Sequence, residues 1–166
     1  MTTLKFSAYL TAFLAANPGA SIAEVYSPTA LLPGAVLKVY DGKQPATPDT
    51  VLSGNNLCAQ FLFPISCWSV ITPGGIFVLD PIGDTIFLIS STASWARCIT
   101  GDAAHTLFDC SVDDAAGSNS GGVQADLVLN INPFVAGYIA KISNGQPDPF
   151  FSAPYLGNSV MLRSNK

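Results

Sequence analysis

The stretch Ala93-Ser94-Trp95-Ala96-Arg97-Cys98-Ile99-Thr100-Gly101-Asp102-Ala103-Ala104-His105-Thr106-Leu107-Phe108-Asp109-Cys110 places two runs of strand-favouring residues on either side of a small, polar turn. The runs Ala93–Thr100 and Thr106–Cys110 are short and carry Trp, Ile, Phe and Thr, which suit a pleated, half-buried surface. Between them Thr100-Gly101-Asp102-Ala103-Ala104 has the chemistry of a turn, so the two runs read as antiparallel neighbours. The same alternation of short apolar run and Gly, Pro, Asn or Asp cluster continues in both directions.

Upstream it gives candidate strands at Ala35–Tyr40, Leu57–Phe63, Gly75–Leu79 and Thr85–Ser90, and downstream at Ala125–Ile131, Gly137–Ser143 and Ser159–Arg163. Asp80-Pro81-Ile82-Gly83-Asp84 reads as a short hairpin loop, while Pro45 and Pro48 stiffen an extended loop by fixing their own φ. Nine short strands with no second long helix predict a mainly β fold, an antiparallel β-sandwich or jelly roll. The exception is the N-terminus, where Phe6, Leu10, Phe13 and Leu14 share one helical face before Asn17-Pro18-Gly19 stops the helix. That segment reads as a docking helix within residues 1–18 in preference to a signal peptide. The expected organisation is one domain over 1–166: the helix, a β core over 35–143, and a Pro- and Phe-rich loop, last strand and tail over 144–166.

Composition bears on partners. Charged residues are only 11% of the chain and apolar ones 49%, where an ordinary soluble domain carries roughly a quarter charged residues. So few charges predict that much of the surface is covered by other subunits. The net charge of −4, with seven Lys and Arg scattered along 166 residues, offers no basic stripe and argues against nucleic acid. No apolar run reaches the ~18 residues needed to span a bilayer as a helix, so no membrane partner is expected.

Catalytic signatures are sparse. His105 is the single histidine, it falls in a predicted turn, and no Gly-x-Ser-x-Gly elbow accompanies it, so it reads as a solvated loop residue. The chain lacks a Gly-x-x-x-x-Gly-Lys-Ser/Thr phosphate loop. Cys58, Cys67, Cys98 and Cys110 form no Cys-x-x-Cys knuckle for zinc. Cys98 and Cys110 lie on the two strands of the quoted hairpin, where a disulfide is possible in an oxidising medium, but buried thiols are the preferred reading. Asp109, Asp113, Asp114 and Asn119 do not follow the EF-hand spacing and read as turn residues. The expectation is no enzyme, no metal and no cofactor.

Two segments resemble a known pattern. The first is Val36-Leu37-Lys38-Val39-Tyr40-Asp41-Gly42-Lys43-Gln44-Pro45-Ala46-Thr47-Pro48-Asp49 with Leu52-Ser53-Gly54-Asn55-Asn56-Leu57. The second is Thr92-Ala93-Ser94-Trp95-Ala96-Arg97 followed by Asp109-Cys110-Ser111-Val112 and Ala125-Asp126-Leu127-Val128-Leu129. Together they resemble small virion-associated proteins of tailed bacteriophages, and the N-terminal helix suits the same layout. The resemblance implies a structural component of the virion, a capsid decoration (cement) protein or a neck, tail or fibre component. It would be assembled in the host bacterial cytoplasm and would bind other virion proteins and further copies of itself. Expected partner contacts are Phe6, Leu10 and Phe13 on the helix and Phe150 and Phe151 in the late loop. A carbohydrate- or receptor-binding module, using Trp68, Trp95 and the tyrosines, is the rival reading, although their positions within strand-like runs favour the core, where Trp95 fills space and Arg97 bonds nearby carbonyls or a carboxylate.

Overall fold

The quoted hairpin lies at the centre of the largest sheet. A computed structural model describes residues 4–16, 34–65, 68–70, 77–79, 82–114 and 125–142. Their elements are β1 (Lys5–Phe6), α1 (Ala8–Ala16), β2 (Val36–Tyr40), β3 (Leu57–Leu62), β4 (Trp68–Val70), β5 (Phe77–Leu79), β6 (Thr85–Ile86), β7 (Trp95–Ile99), β8 (Thr106–Asp114), β9 (Leu127–Leu129) and β10 (Ile139–Ala140). Strands β1, β8, β7, β2 and β3 run side by side in that order, all antiparallel, and β9 joins the outer edge of β8 beyond β1. Two small antiparallel sheets, β6 with β10 and β4 with β5, complete a β-sandwich-like, mainly β fold with one short helix.

Side-chain alternation divides the large sheet into two unlike faces. Leu37 and Val39 of β2, Ala59 and Phe61 of β3, Ala96 and Cys98 of β7, and Cys110 and Val112 of β8 point into the core. Phe63, Phe87, Phe134, Leu127, Leu129 and Leu10 of the helix fill the rest of it. On the opposite face one register line crosses five strands through Lys5, Asp109, Arg97, Lys38 and Gln60. Polar side chains thus occupy alternate positions of strands that are otherwise apolar.

The turn of the hairpin forms because Thr100 takes the backbone N–H groups of Ala103 and His105, while Asp102 takes that of Ala104. Gly101 is needed there: a Cβ at this position would lie 2.8 Å from the Gly34 carbonyl oxygen. Helix α1 begins at Ala8 because the Ser7 hydroxyl accepts the Leu10 N–H at 3.0 Å, a standard N-cap.

Several expectations need correction. Strand β8 runs four residues past Cys110, to Asp114, and takes in Asp113 and Asp114 as well as Asp109, so none of the three is a turn residue, while Asn119 lies outside the described residues. Its pairing with β9 is parallel. The strands on either side of the expected hairpin loop Asp80–Asp84 have other partners, β5 with β4 and β6 with β10, and Asp80 and Pro81 lie outside the described residues. Strands β1 and β4 were not expected, being too short or too close to a proline and serine cluster to stand out. The predicted strand Ser159–Arg163, the stop at Asn17-Pro18-Gly19 and the loop and tail over 144–166 lie outside the described residues.

Candidate functional site

Loop 41–56, between β2 and β3, folds back across the polar face of the sheet as a strap. Gly42 and Gly54, at φ of 71° and 74°, let the chain turn at its two ends. Asp41 closes the strap at its base: its carboxylate accepts the Asn56 N–H at 2.7 Å, the Asn56 side-chain amide at 3.0 Å and the Ser91 hydroxyl at 3.1 Å. Burial alone would raise its pKa, but these hydrogen bonds prevail and hold the carboxyl below its ordinary value. Trp95 Nε1 donates to the Asp41 carbonyl, and Lys5 Nζ donates to that of Pro45 at 2.7 Å.

Beneath the strap Arg97 grips Asp109 with two parallel bonds, Nε to Oδ1 at 2.7 Å and Nη2 to Oδ2 at 2.8 Å. Its remaining N–H groups reach the carbonyls of Thr50 and Thr47, and its guanidinium lies 5.4 Å from the centre of the Trp95 ring. Both charged groups are buried. Burial pushes the Asp109 carboxyl up, and Arg97 offsets that rise only in part. Trp95 itself is wholly buried against Tyr40, which removes it as a glycan platform. A planar, five-donor cation explains why Arg stands here, since it satisfies a carboxylate and two carbonyls at once. The cluster is a clasp for the strap.

The other candidates fall apart as sites. His105 is exposed and stacks on Tyr9 of the helix, ring centres 3.8 Å apart, while the Thr100 hydroxyl accepts its backbone N–H. Cys98 pairs with Phe108 and Cys110 with Ala96, so the two cysteines sit diagonally, and both are buried thiols without a disulfide. Burial pushes the Cys58 thiol up to about 12 and Cys110 well above its usual range, which keeps both protonated and unreactive. Asp113 is buried and receives the Asn132 side-chain amide. Among the described residues no group of three or more His, Cys, Asp or Glu is placed to hold a metal. No helix among them is long and apolar enough to cross a membrane.

Of the expected contact residues, Leu10 is in the core and Phe13 packs half-buried against it, because the helix lies down on the body of the protein. Phe6 remains partly exposed, and Phe150, Phe151, Cys67 and the Trp68 side chain lie outside the described residues. Val51, Leu62 and Ile65 are exposed singly on the strap, on β3 and just after it, and a further group of exposed apolar side chains lies around the small sheet. Ile86 and Ile139 sit opposite each other on β6 and β10, with Leu88 two residues beyond Ile86. Tyr138, Val135 and Ile131 are exposed on the loop leading into β10. Ile86, Leu88, Val135, Tyr138 and Ile139 are each 50% to 58% exposed. The inner side of the same small sheet is core: Phe87 and Ala140 are buried, and Phe87 stacks on Phe134 at 4.0 Å. Sequence alternation in Thr85-Ile86-Phe87-Leu88 hides this face, because apolar residues occupy both sides of the strand. No protein-family model, curated protein or solved structure matches the chain.

Proposed function

We propose that this chain is a structural subunit that works by docking onto other proteins through the outer face of its small sheet. We further propose that the assembly is a tailed-phage virion, with the chain as a capsid decoration protein. The observation that carries the docking reading is the gathering of Ile86, Leu88, Ile131, Val135, Tyr138 and Ile139 on β6, β10 and their flanking loop, on a chain with only 11% charged residues. Apolar side chains left exposed on neighbouring elements in this number favour an interaction site. The virion reading is supported by the sequence patterns of residues 36–57 and 92–129.

Magnitudes suggest how such a subunit is held. Each half-exposed side chain has roughly 1 kcal/mol to gain on full burial. Six of them yield about 6 kcal/mol, close to the lower part of the ~4–15 kcal/mol that association costs. One contact is weak by itself, and repetition on a symmetric lattice multiplies it. In purified virions the chain is expected at a fixed ratio to the capsid subunit, and the double variant Ile86→Asp/Ile139→Asp is expected to be lost from the particle while remaining folded. Purified particles that lack the wild-type chain rule out the virion assignment. Particles that retain the double variant rule out this face.

A further inference from the structure

We propose that the outer face of the small sheet joins two copies of this chain across a two-fold axis; this rests on the docking reading and names its partner. The register sets Ile139 opposite Ile86 and Ala140 opposite Thr85, and one step further Lys141 meets Asp84, with Nζ to Oδ2 at 2.8 Å. Residues two apart on a strand share a face, so Ile86 with Ile139 and Asp84 with Lys141 form successive rungs on the outer side. The middle of the face is apolar, and one rim carries a single acid and a single base, each about half exposed. That is the layout of an interface, with an apolar centre and a polar edge.

The charges select the occupant. Place a two-fold axis between two such faces, parallel to the strands and midway between β6 and β10. Rotation then sets Ile86 against the partner's Ile139 and Asp84 against the partner's Lys141, on both sides of the axis. The rim is therefore complementary to itself, as an isologous contact requires. Elsewhere on the described surface acids outnumber bases, and the chain carries a net −4, so two copies repel through most other approaches. This face is locally neutral, and they meet here at the lowest electrostatic cost.

Sedimentation equilibrium of the purified chain tests the proposal. The wild type is expected to reach twice the 17.3 kDa chain mass as concentration rises. Asp84→Lys gives a rim with two bases and Lys141→Asp a rim with two acids, so each variant alone is expected to dimerise roughly tenfold more weakly, since two attractive exposed contacts become repulsive. Mixed in equal amounts the two variants restore opposite charges at both contacts, and the mixture is expected to regain wild-type association. Both side chains are about half exposed, and circular dichroism confirms that the variants fold. A wild type that remains monomeric overturns the proposal, as does a mixture that associates no better than its components. A monomeric wild type whose Ile86→Asp/Ile139→Asp variant is excluded from particles ends self-pairing and leaves the docking reading intact. A monomeric wild type whose double variant still enters particles ends both.

Discussion

Arg97 donates to both oxygens of Asp109 and to two carbonyls of the strap, all from a buried position. Removing it strands a carboxyl that is already pushed up by burial. Arg97→Met is therefore expected to lower stability by about 3–5 kcal/mol, the usual cost of breaking a buried ion pair from one side. The pair as a whole contributes far less, because desolvation of two charges offsets much of their attraction. Arg97→Met/Asp109→Leu is accordingly expected to recover most of the loss in urea denaturation. A double variant as unstable as the single one would show that the strap carbonyls, and not the lone carboxyl, set the cost. The sequence made part of this legible. Trp95 reads as a core residue and Arg97 as a partner for carbonyls or a carboxylate, because both need such neighbours when a strand is buried. It did not identify Asp109 as that carboxylate: an acid followed closely by Asp113 and Asp114 and then by a small, polar run reads as turn chemistry, and only the register across β7 and β8 brings it to Arg97.

At the scale of elements the strap is irregular yet, among the described residues, heavily hydrogen-bonded. Loop 41–56 has no ladder, so its ends are fixed by Asp41 and its middle by Arg97 and Lys5. The Asp41 carboxyl has a lower pKa in the folded protein than its ordinary value of 3.8. The unfolded chain therefore takes up this proton first as pH falls. The contribution of the ionised group to stability is fully present above 3.8 and is lost as pH drops through the depressed folded value. The stability difference between wild type and Asp41→Asn is expected to shrink between neutral pH and about pH 3, measured by urea unfolding at each pH. A difference that stays constant would mean that Asp41 acts without its charge. The two prolines of this loop point to an extended segment, and Gly42 and Gly54, both at positive φ, turn it at its ends. Its path over the polar face follows from hydrogen bonds between residues about 40 to 50 positions apart, a separation that local patterns do not encode.

For the whole molecule the surplus of apolar side chains among the described residues goes to a core against the large sheet and to exposed positions, several of them on the outer side of β6 and β10 and others, Val51, Leu62 and Ile65, on the strap, on β3 and just after it. Composition announced the surplus, and the sequence expectation placed the free part on Phe150 and Phe151, which lie outside the described residues, and on the helix. Leu10 and Phe13 are there with the right spacing, and they are consumed by packing against the body instead. The location of the free face decides the thermodynamics of association. Apolar burial removes hydration with a negative heat-capacity change, whereas an exposed rim pair contributes a small, salt-sensitive share. Dilution calorimetry of the associated chain at several temperatures is expected to give a clearly negative ΔCp of association. Raising the salt from about 0.05 to 0.5 M is expected to weaken association only a few-fold, since screening reaches the Asp84–Lys141 rim and not the Ile86–Ile139 centre. Sulfate at the same ionic strength is expected to strengthen it, because excluded salts favour burial of apolar surface. A ΔCp near zero together with a steep salt dependence would transfer the contact from this face to the acidic remainder of the surface.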